Sequence, residues 1–202
     1  MLIEVYGSLL NQDERKRIKG TLTEKGKVER KGWKLSFDKN SFTRNEAVLN
    51  LVRTNNSNDV YYTCVYEVDA DTHTEVVRRE LGQGNVERWK LGEPGKFNSY
   101  RPLRLESNLG TTEVFVIPET EQLPTPTIWE AEYVVIVRRG IEESFKDMPK
   151  EKEVNLQALK KAVEESSRKV RFTVNFFGSH VHLKKAVEES SRKVHSVNKG
   201  NL

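Results

Sequence analysis

The feature that most constrains the fold is a run of nine residues, 60–68, in which β-branched and aromatic residues predominate. Such a run favours a β-strand, because these side chains pack well on a pleated surface. Four shorter runs predict further strands, at residues 2–6, 33–37, 47–52 and 112–117. Helical patterns cover residues 71–81, where Gly82 acts as a stop, and residues 127–145. Strands flanked by helices in this order predict an α+β fold with a mostly antiparallel or mixed sheet.

A segment of twelve residues occurs twice without change, at 159–170 and at 183–194. Leu156, Leu159, Val163 and Val170 fall near one helical face, so the first copy predicts a helix. The intervening residues 171–178 resemble a short strand, and two copies are too few for a solenoid. We therefore expect a body at residues 1–150 and a basic, partly helical tail at 151–202. The tail is either a dispensable product of duplication or an arm for interaction or oligomerisation.

Charge and composition limit the class of protein. The net charge is +4, and residues 151–202 carry 11 Lys/Arg against 6 Asp/Glu, which leaves the body nearly neutral. A nearly neutral body argues against nucleic-acid binding. No run approaches the ~18 apolar residues of a membrane span, and the first residues lack the pattern of a signal peptide. Because Cys64 is the only cysteine, no intrachain disulfide can form. We expect a cytoplasmic protein without a membrane partner.

The first predicted strand leads directly into Tyr6-Gly7-Ser8-Leu9-Leu10. A strand that enters a Gly-Ser turn exposes several backbone N–H groups in one concavity, which suits a carboxylate or a phosphate. A Gly-aromatic-x-Leu-x-Phe strand follows at residues 32–37, and the strand ending Tyr66-Glu67-Val68 leads into a helix. With these features, residues 1–145 resemble the γ-glutamylcyclotransferase-like family, which includes γ-glutamylamine cyclotransferases.

This resemblance implies a small, mixed, barrel-like sheet with flanking helices, and the release of 5-oxoproline from a small γ-glutamyl substrate. It implies neither a metal nor another cofactor. Glu80, 14 residues after Tyr66, would be the catalytic general acid/base, since the substrate's α-ammonium must lose a proton before it attacks its own γ-carbonyl. The remaining substrate-binding residues would be Tyr6, Gly7, Ser8 and Leu9, whose N–H groups would hold the α-carboxylate, and the pocket-lining Tyr100 and Tyr133.

Some residues depart from the family pattern or allow other interpretations. Leu81 separates Glu80 from Gly82, and residues 83–99 are long enough to form an inserted loop beside the site. Glu80 could instead be a solvated carboxylate at a helix end, and the pocket could retain a small anionic ligand, such as a nucleotide or signal molecule, without catalysis. In that case the tail could drive homo-oligomerisation. The other chemically notable residues are two alternative carboxylates, a buried structural thiol and an incidental histidine pair: Glu75, Glu87, Cys64, His180 and His182.

Overall fold

The computed structural model describes residues 1–41, 46–91, 99–122 and 131–177 of the 202-residue chain. Within these ranges the strands are β1 (Leu2–Val5), β2 (Thr23–Lys31), β3 (Trp33–Ser41), β4 (Glu46–Arg53), β5 (Val60–Glu67), β6 (Arg101–Ser107) and β7 (Gly110–Val116). The helices are α1 (Gln12–Arg15), α2 (Ala70–Leu81), α3 (Gln83–Lys90), α4 (Ala131–Ser144) and α5 (Pro149–Phe177). Two 3₁₀ turns cover Gly7–Leu10 and Glu119–Glu121. The five predicted strands are thus confirmed as β1, β3, β4, β5 and β7, and the first predicted helix as α2.

The strands form one mixed sheet of five strands, in the order β2-β5-β1-β7-β6, and a separate pair, β3-β4. β1 is parallel to β7, and the other pairs are antiparallel. The α+β class with a mixed sheet and flanking helices is confirmed, but the expected barrel-like closure is wrong for the described residues. The β3-β4 layer meets the sheet through a side chain instead of a strand ladder, since Asn50 Oδ1 accepts a hydrogen bond of 2.9 Å from Ile117 N.

Several elements differ from the sequence-based expectation. The strands β2 and β6 are not predicted, because edge strands with exposed charged residues lack a clear apolar alternation. The segment 83–99, expected to be an inserted loop, begins with helix α3. Within this helix, the buried side chain of Asn85 donates hydrogen bonds of 2.8 Å to Leu81 O and 3.1 Å to Ser99 Oγ. The predicted helix at 127–145 corresponds to α4, its first four residues lying outside the described ranges.

Helix α5 connects the body to the tail that was predicted from residue 151 onward. The Asn155 side chain is fully buried and accepts 2.9 Å from Tyr62 N while donating 2.9 Å to Tyr62 O. Leu159 and Ala162 belong to the same apolar core as the sheet. The packing therefore shows no break at residue 150. The short strand predicted at 171–178 is wrong over 171–177, because α5 continues through Phe177 and a helix supplies its own hydrogen-bond partners.

The core lies between the mixed sheet, α2, α4 and the β3-β4 layer. Cys64 lies fully buried in β5, and burial raises the pKa of its thiol to about 11. This environment matches the structural thiol expected from the sequence. In the described part of the chain, no helix has the length and apolar character needed to cross a membrane. The second repeat copy and the pair His180 and His182 lie outside the described residues.

Candidate active site

A pocket lies where the ends of β1 and β7 meet the last turn of α2. Its empty volume is about 330 Å³, part of which is open to solvent. Three sequence-distant regions therefore meet at one place. The residues that line it are Glu4, Val5, Tyr6, Gly7, Ser8, Leu9, Leu49, Glu80, Tyr100, Phe115 and Tyr133. All seven residues that the sequence analysis selects for catalysis or substrate binding are among them.

The loop after β1 forms a 3₁₀ turn over Gly7–Leu10, with Tyr6 in extended conformation before it. The first N–H groups of such a turn have no acceptor within the turn itself. Gly7 has φ +61°, and a Cβ there would lie 3.5 Å from Tyr133 Oη and 3.8 Å from Leu49 Cβ. Both neighbours line the pocket. The missing side chain of Gly7 thus faces the pocket.

The backbone carbonyl groups at the end of this turn accept hydrogen bonds from two side chains outside the pocket. Arg15 Nη1 donates 2.8 Å to Leu9 O and 2.5 Å to Leu10 O, and Ser144 Oγ donates 2.8 Å to Leu10 O. Helix α4 approaches the same backbone so closely that a Cβ on Gly140 would lie 2.5 Å from Asn11 N. Since α4 also carries Tyr133, this contact sets the position of one pocket wall relative to the loop.

Three tyrosines form much of the pocket wall: Tyr100 and Tyr133 are buried, and Tyr6 is partly buried. Tyr6 Oη donates 2.6 Å to Phe115 O, Tyr100 Oη donates to Leu49 O, and Tyr133 Oη accepts 3.3 Å from Leu49 N. Burial raises the pKa of Tyr6 and of Tyr100 well above the ordinary range. Both phenols therefore stay neutral at physiological pH. Because the hydroxyl groups of Tyr6 and Tyr100 are hydrogen-bonded to the backbones of β7 and β4, these rings are held in position without a ligand.

Glu80 lies in the last turn of α2, with a side chain that is 17% exposed. Burial raises the pKa of its carboxyl above the usual range, while the charges of Arg79 and Lys39 act in the opposite direction. Arg79 Nε lies 3.7 Å from Glu80, and Arg79 Nη2 donates 2.6 Å to the buried carboxylate of Glu14. Glu80 is thus a largely buried carboxylate facing a pocket rather than a solvated one at a helix end.

The two alternative carboxylates lie elsewhere. Glu75 is paired with Arg78 on α2, and Glu87 is exposed on α3. Neither of them lines the pocket, and neither does Cys64. The structure therefore brings together the residues selected through the family resemblance and leaves these three residue candidates outside the pocket.

Two residues near the pocket, Lys39 and Glu4, were not predicted from the sequence. The Lys39 ammonium lies 4.9 Å from the centre of the Tyr100 ring, and burial lowers the pKa of Lys39 while the charge of Glu80 raises it. The apolar alternation Trp33, Leu35, Phe37 could have placed Lys39 on the inward face of β3. Glu4 lies in the middle of β1, and no pattern in the sequence marks it.

The buried charge of Glu4 is fully engaged beneath the pocket. Its carboxylate accepts hydrogen bonds from Arg30 (3.0 Å to Nε), from Thr63 Oγ1 (2.9 Å) and from Thr112 Oγ1. A buried carboxylate requires such partners to offset the loss of hydration. Glu4 therefore supports the floor of the pocket, and Glu80 is the carboxylate that faces its interior.

The fold is similar to solved structures whose sequences differ greatly from this one. One is an uncharacterised human protein, with a TM-score of 0.56 and 13% identity over 76% of this chain and 85% of that one. Another is a γ-glutamyl cyclotransferase, with a TM-score of 0.54 and 12% identity over the same shares of the two chains. No protein-family model and no curated protein sequence matches the chain. The chain therefore has the γ-glutamyl cyclotransferase-like fold.

Proposed function

We propose that this protein is a γ-glutamyl cyclotransferase that releases 5-oxoproline from a small γ-glutamyl conjugate, such as a γ-glutamyl amine. The observation that carries this proposal is the position of Glu80. Its largely buried carboxylate shares one small pocket with Gly7, Ser8 and Leu9 of the turn after β1. An acid/base and an anion-binding loop are the two groups that an intramolecular cyclisation of a γ-glutamyl compound requires.

The substrate's α-carboxylate would bind at the N–H groups of Gly7 and Ser8, because successive backbone N–H groups in a turn favour an anion. Its α-ammonium would then lie on the side of Glu80. Binding energy that holds the α-amine near the γ-carbonyl carbon offsets part of the entropic cost of reaching the transition state, and attack occurs within one molecule. The neutral phenols of Tyr6 and Tyr100 would enclose this bent conformation.

In the reaction, Glu80 takes one proton from the α-ammonium, and the freed amine nitrogen forms a bond to the γ-carbonyl carbon. The bond between that carbon and the leaving nitrogen then breaks. Protonated Glu80 gives this proton to the leaving nitrogen as that bond breaks, then takes a second proton from the attacking nitrogen and passes it to the released amine, which departs as an ammonium ion. Two protons thus leave the α-nitrogen, two reach the leaving nitrogen, and Glu80 ends as the carboxylate it was at the start. The raised pKa of Glu80 suits both halves of this exchange, because a stronger base takes the proton more readily and is still a competent acid.

The test is incubation of the protein with a panel of γ-glutamyl amines and γ-glutamyl amino acids, with 5-oxoproline measured by mass spectrometry. Glu80→Gln is nearly isosteric, and we expect it to fold normally and to lower turnover by about 10²-fold or more. Glu75→Gln, on the same helix but outside the pocket, is the matched control and should keep full activity. Full activity of Glu80→Gln would refute the assignment of the acid/base.

Binding without turnover would favour the alternative function. If the wild-type protein binds γ-glutamyl compounds or a small anionic ligand but releases no 5-oxoproline from any of the panel, the pocket is a binding site rather than an active site. Calorimetric titration with the same compounds distinguishes this outcome from failure to bind.

A further inference from the structure

The twelve-residue repeat has a structural meaning in its first copy. Residues 159–167 of that copy belong to α5, which packs against β3 and β5. We call the surface that they cover the docking face, and its polar contacts with this copy are Lys34 and Asp59. Leu159 and Ala162 are buried in the core, only 4% and 2% exposed. The first copy is therefore a helical segment that packs on the body of its own chain.

Charged pairs define the register of this docking. Lys161 Nζ lies 3.0 Å from Asp59 Oδ1, and Lys34 Nζ lies 3.1 Å from Glu165 Oε2. The two pairs have opposite polarity, since the helix supplies the cation in one and the anion in the other. A helix that docks here must therefore present a lysine and a glutamate four residues apart, beside a buried leucine and alanine.

The second copy meets every one of these requirements. Leu183, Lys185, Ala186 and Glu189 stand in it where Leu159, Lys161, Ala162 and Glu165 stand in the first. The side chains that dock are thus present twice in each chain, whereas the docking face is present once. We propose that the second copy, residues 183–194, is an alternative occupant of the docking face of its own chain, and that it exchanges with the first copy.

The length of chain between the anchor Asn155 and each copy decides which copy prevails. Asn155, which hydrogen-bonds both backbone groups of Tyr62, precedes the first copy by four residues, and Ser179 stands at the corresponding place before the second. The exchanged state keeps Asn155 in place and loops out residues 159–182. Closing a loop of 24 residues disfavours that state on the order of 10²-fold, from the three-halves power of loop length. The first copy is therefore the main occupant and the second a minor one.

The edge of the docking face is open to solvent. A groove with an empty volume of about 1020 Å³, open to solvent, runs along α5 on this face, with Trp33 and Ala158 among its lining residues. The Lys161 and Lys34 side chains of the two charged pairs are 55% and 33% exposed. Exposed ion pairs add little stability, so the first copy is held mainly by the buried Leu159 and Ala162, which recur in the second copy as Leu183 and Ala186.

The first experiment places the same substitutions in each copy and compares their effects on stability. The first-copy lesion is Leu159→Asp with Ala162→Asp, and the second-copy lesion is Leu183→Asp with Ala186→Asp. We expect the second-copy lesion alone to leave the urea unfolding midpoint unchanged. The first-copy lesion should raise the equilibrium constant for unfolding by on the order of 10²-fold, the cost of looping out 24 residues. The two lesions together should raise it at least tenfold further.

The proposal is overturned if the first-copy lesion and the combined lesion destabilise the protein equally, because the second copy then offers no substitute. A second measurement uses the native copies and does not depend on the stability of these variants. In a Cys64→Ser background, Asp59→Cys is paired with Lys185→Cys, and a short bis-maleimide links cysteines that come together.

Lys184→Cys is the matched control, because it corresponds to exposed Lys160, and Lys161→Cys is the positive control for the docked first copy. We expect Cys introduced at 185 to link within one chain faster than Cys introduced at 184. Equal rates overturn the proposal. A link between two chains, seen as a dimer on a denaturing gel, overturns the assignment to the same chain.

Discussion

A methyl group at Gly7 should impair ligand binding more than it impairs folding. Gly7 has φ +61°, where an L residue costs roughly 1–2 kcal/mol. The methyl group itself would meet only ordinary contacts, 3.5 Å to Tyr133 Oη and 3.8 Å to Leu49 Cβ. For a protein of this size, that strain lowers the melting temperature by about 2–8 °C. Gly7→Ala should therefore fold.

The effect on binding has a different cause. The methyl group of Gly7→Ala would project into the pocket, where a substrate carboxylate must approach the backbone N–H groups. We expect kcat/KM for a γ-glutamyl substrate to fall at least tenfold, an estimate that corresponds to about 1.4 kcal/mol of lost transition-state binding. Ser8→Ala, which keeps its N–H group, should lower kcat/KM less.

Gly110→Ala is the matched control for strain. Gly110 also has positive φ, +108°, and its methyl group would meet only Leu2 Cδ1 at 3.8 Å, outside the pocket. It should lower the melting temperature in a similar way without lowering kcat/KM. If Gly7→Ala loses no more activity than Gly110→Ala, the loop is only a structural turn, and the proposed carboxylate site is refuted.

Three further predictions concern the surroundings of the pocket and the docking of α5. Because the Lys39 charge lowers the pKa of Glu80, Lys39→Met should raise that pKa, and the acid limb of the kcat/KM profile should move to higher pH, since Glu80 must be ionised to act as base. Gly140→Ala should destabilise the protein in urea unfolding, because overpacking against backbone costs about 1–3 kcal/mol and the gain in helix propensity returns only about 1 kcal/mol. Asn155→Ala leaves buried backbone groups without their partner and should cost about 1–3 kcal/mol by the same measurement.

Each of these predictions has a control on the same element. Lys34→Met, on β3 but outside the pocket, should leave the acid limb in place, and an equal shift for both lysine variants would contradict a direct effect on Glu80. Val135→Ala, at an exposed position of α4, and Gln157→Ala, exposed on α5, should leave stability nearly unchanged. Wild-type stability of Gly140→Ala would show that the close contact of Gly140 with Asn11 does not limit the size of that side chain. Wild-type stability of Asn155→Ala would show that the hydrogen bonds of Asn155 to Tyr62 do not contribute to the stability of the fold.

Local patterns in the sequence were sufficient to predict the strands and helices that have one apolar and one polar face. The run at 60–68 became β5, and α2 begins after the cap Asp69, whose side chain accepts 2.7 Å from Thr72 N, and ends before Gly82. The turn after β1 and the place of Glu80 at the end of α2 also follow from local order along the chain. Such features depend on interactions between near neighbours, so a single sequence carries them.

Contacts between distant residues were decided only by the tertiary structure. The charges of Lys39 on β3 and Glu80 on α2 interact in the folded protein, and no spacing in the sequence expresses that proximity. The pair β3-β4 lies apart from the mixed sheet, and the side chain of Asn50 bridges them by accepting a hydrogen bond from Ile117 N. The segment predicted as a separate tail joins the body because Asn155 satisfies both backbone groups of Tyr62. In each case the energy comes from burying a polar or apolar group against a partner far along the chain, and that partner is known only once the chain has folded.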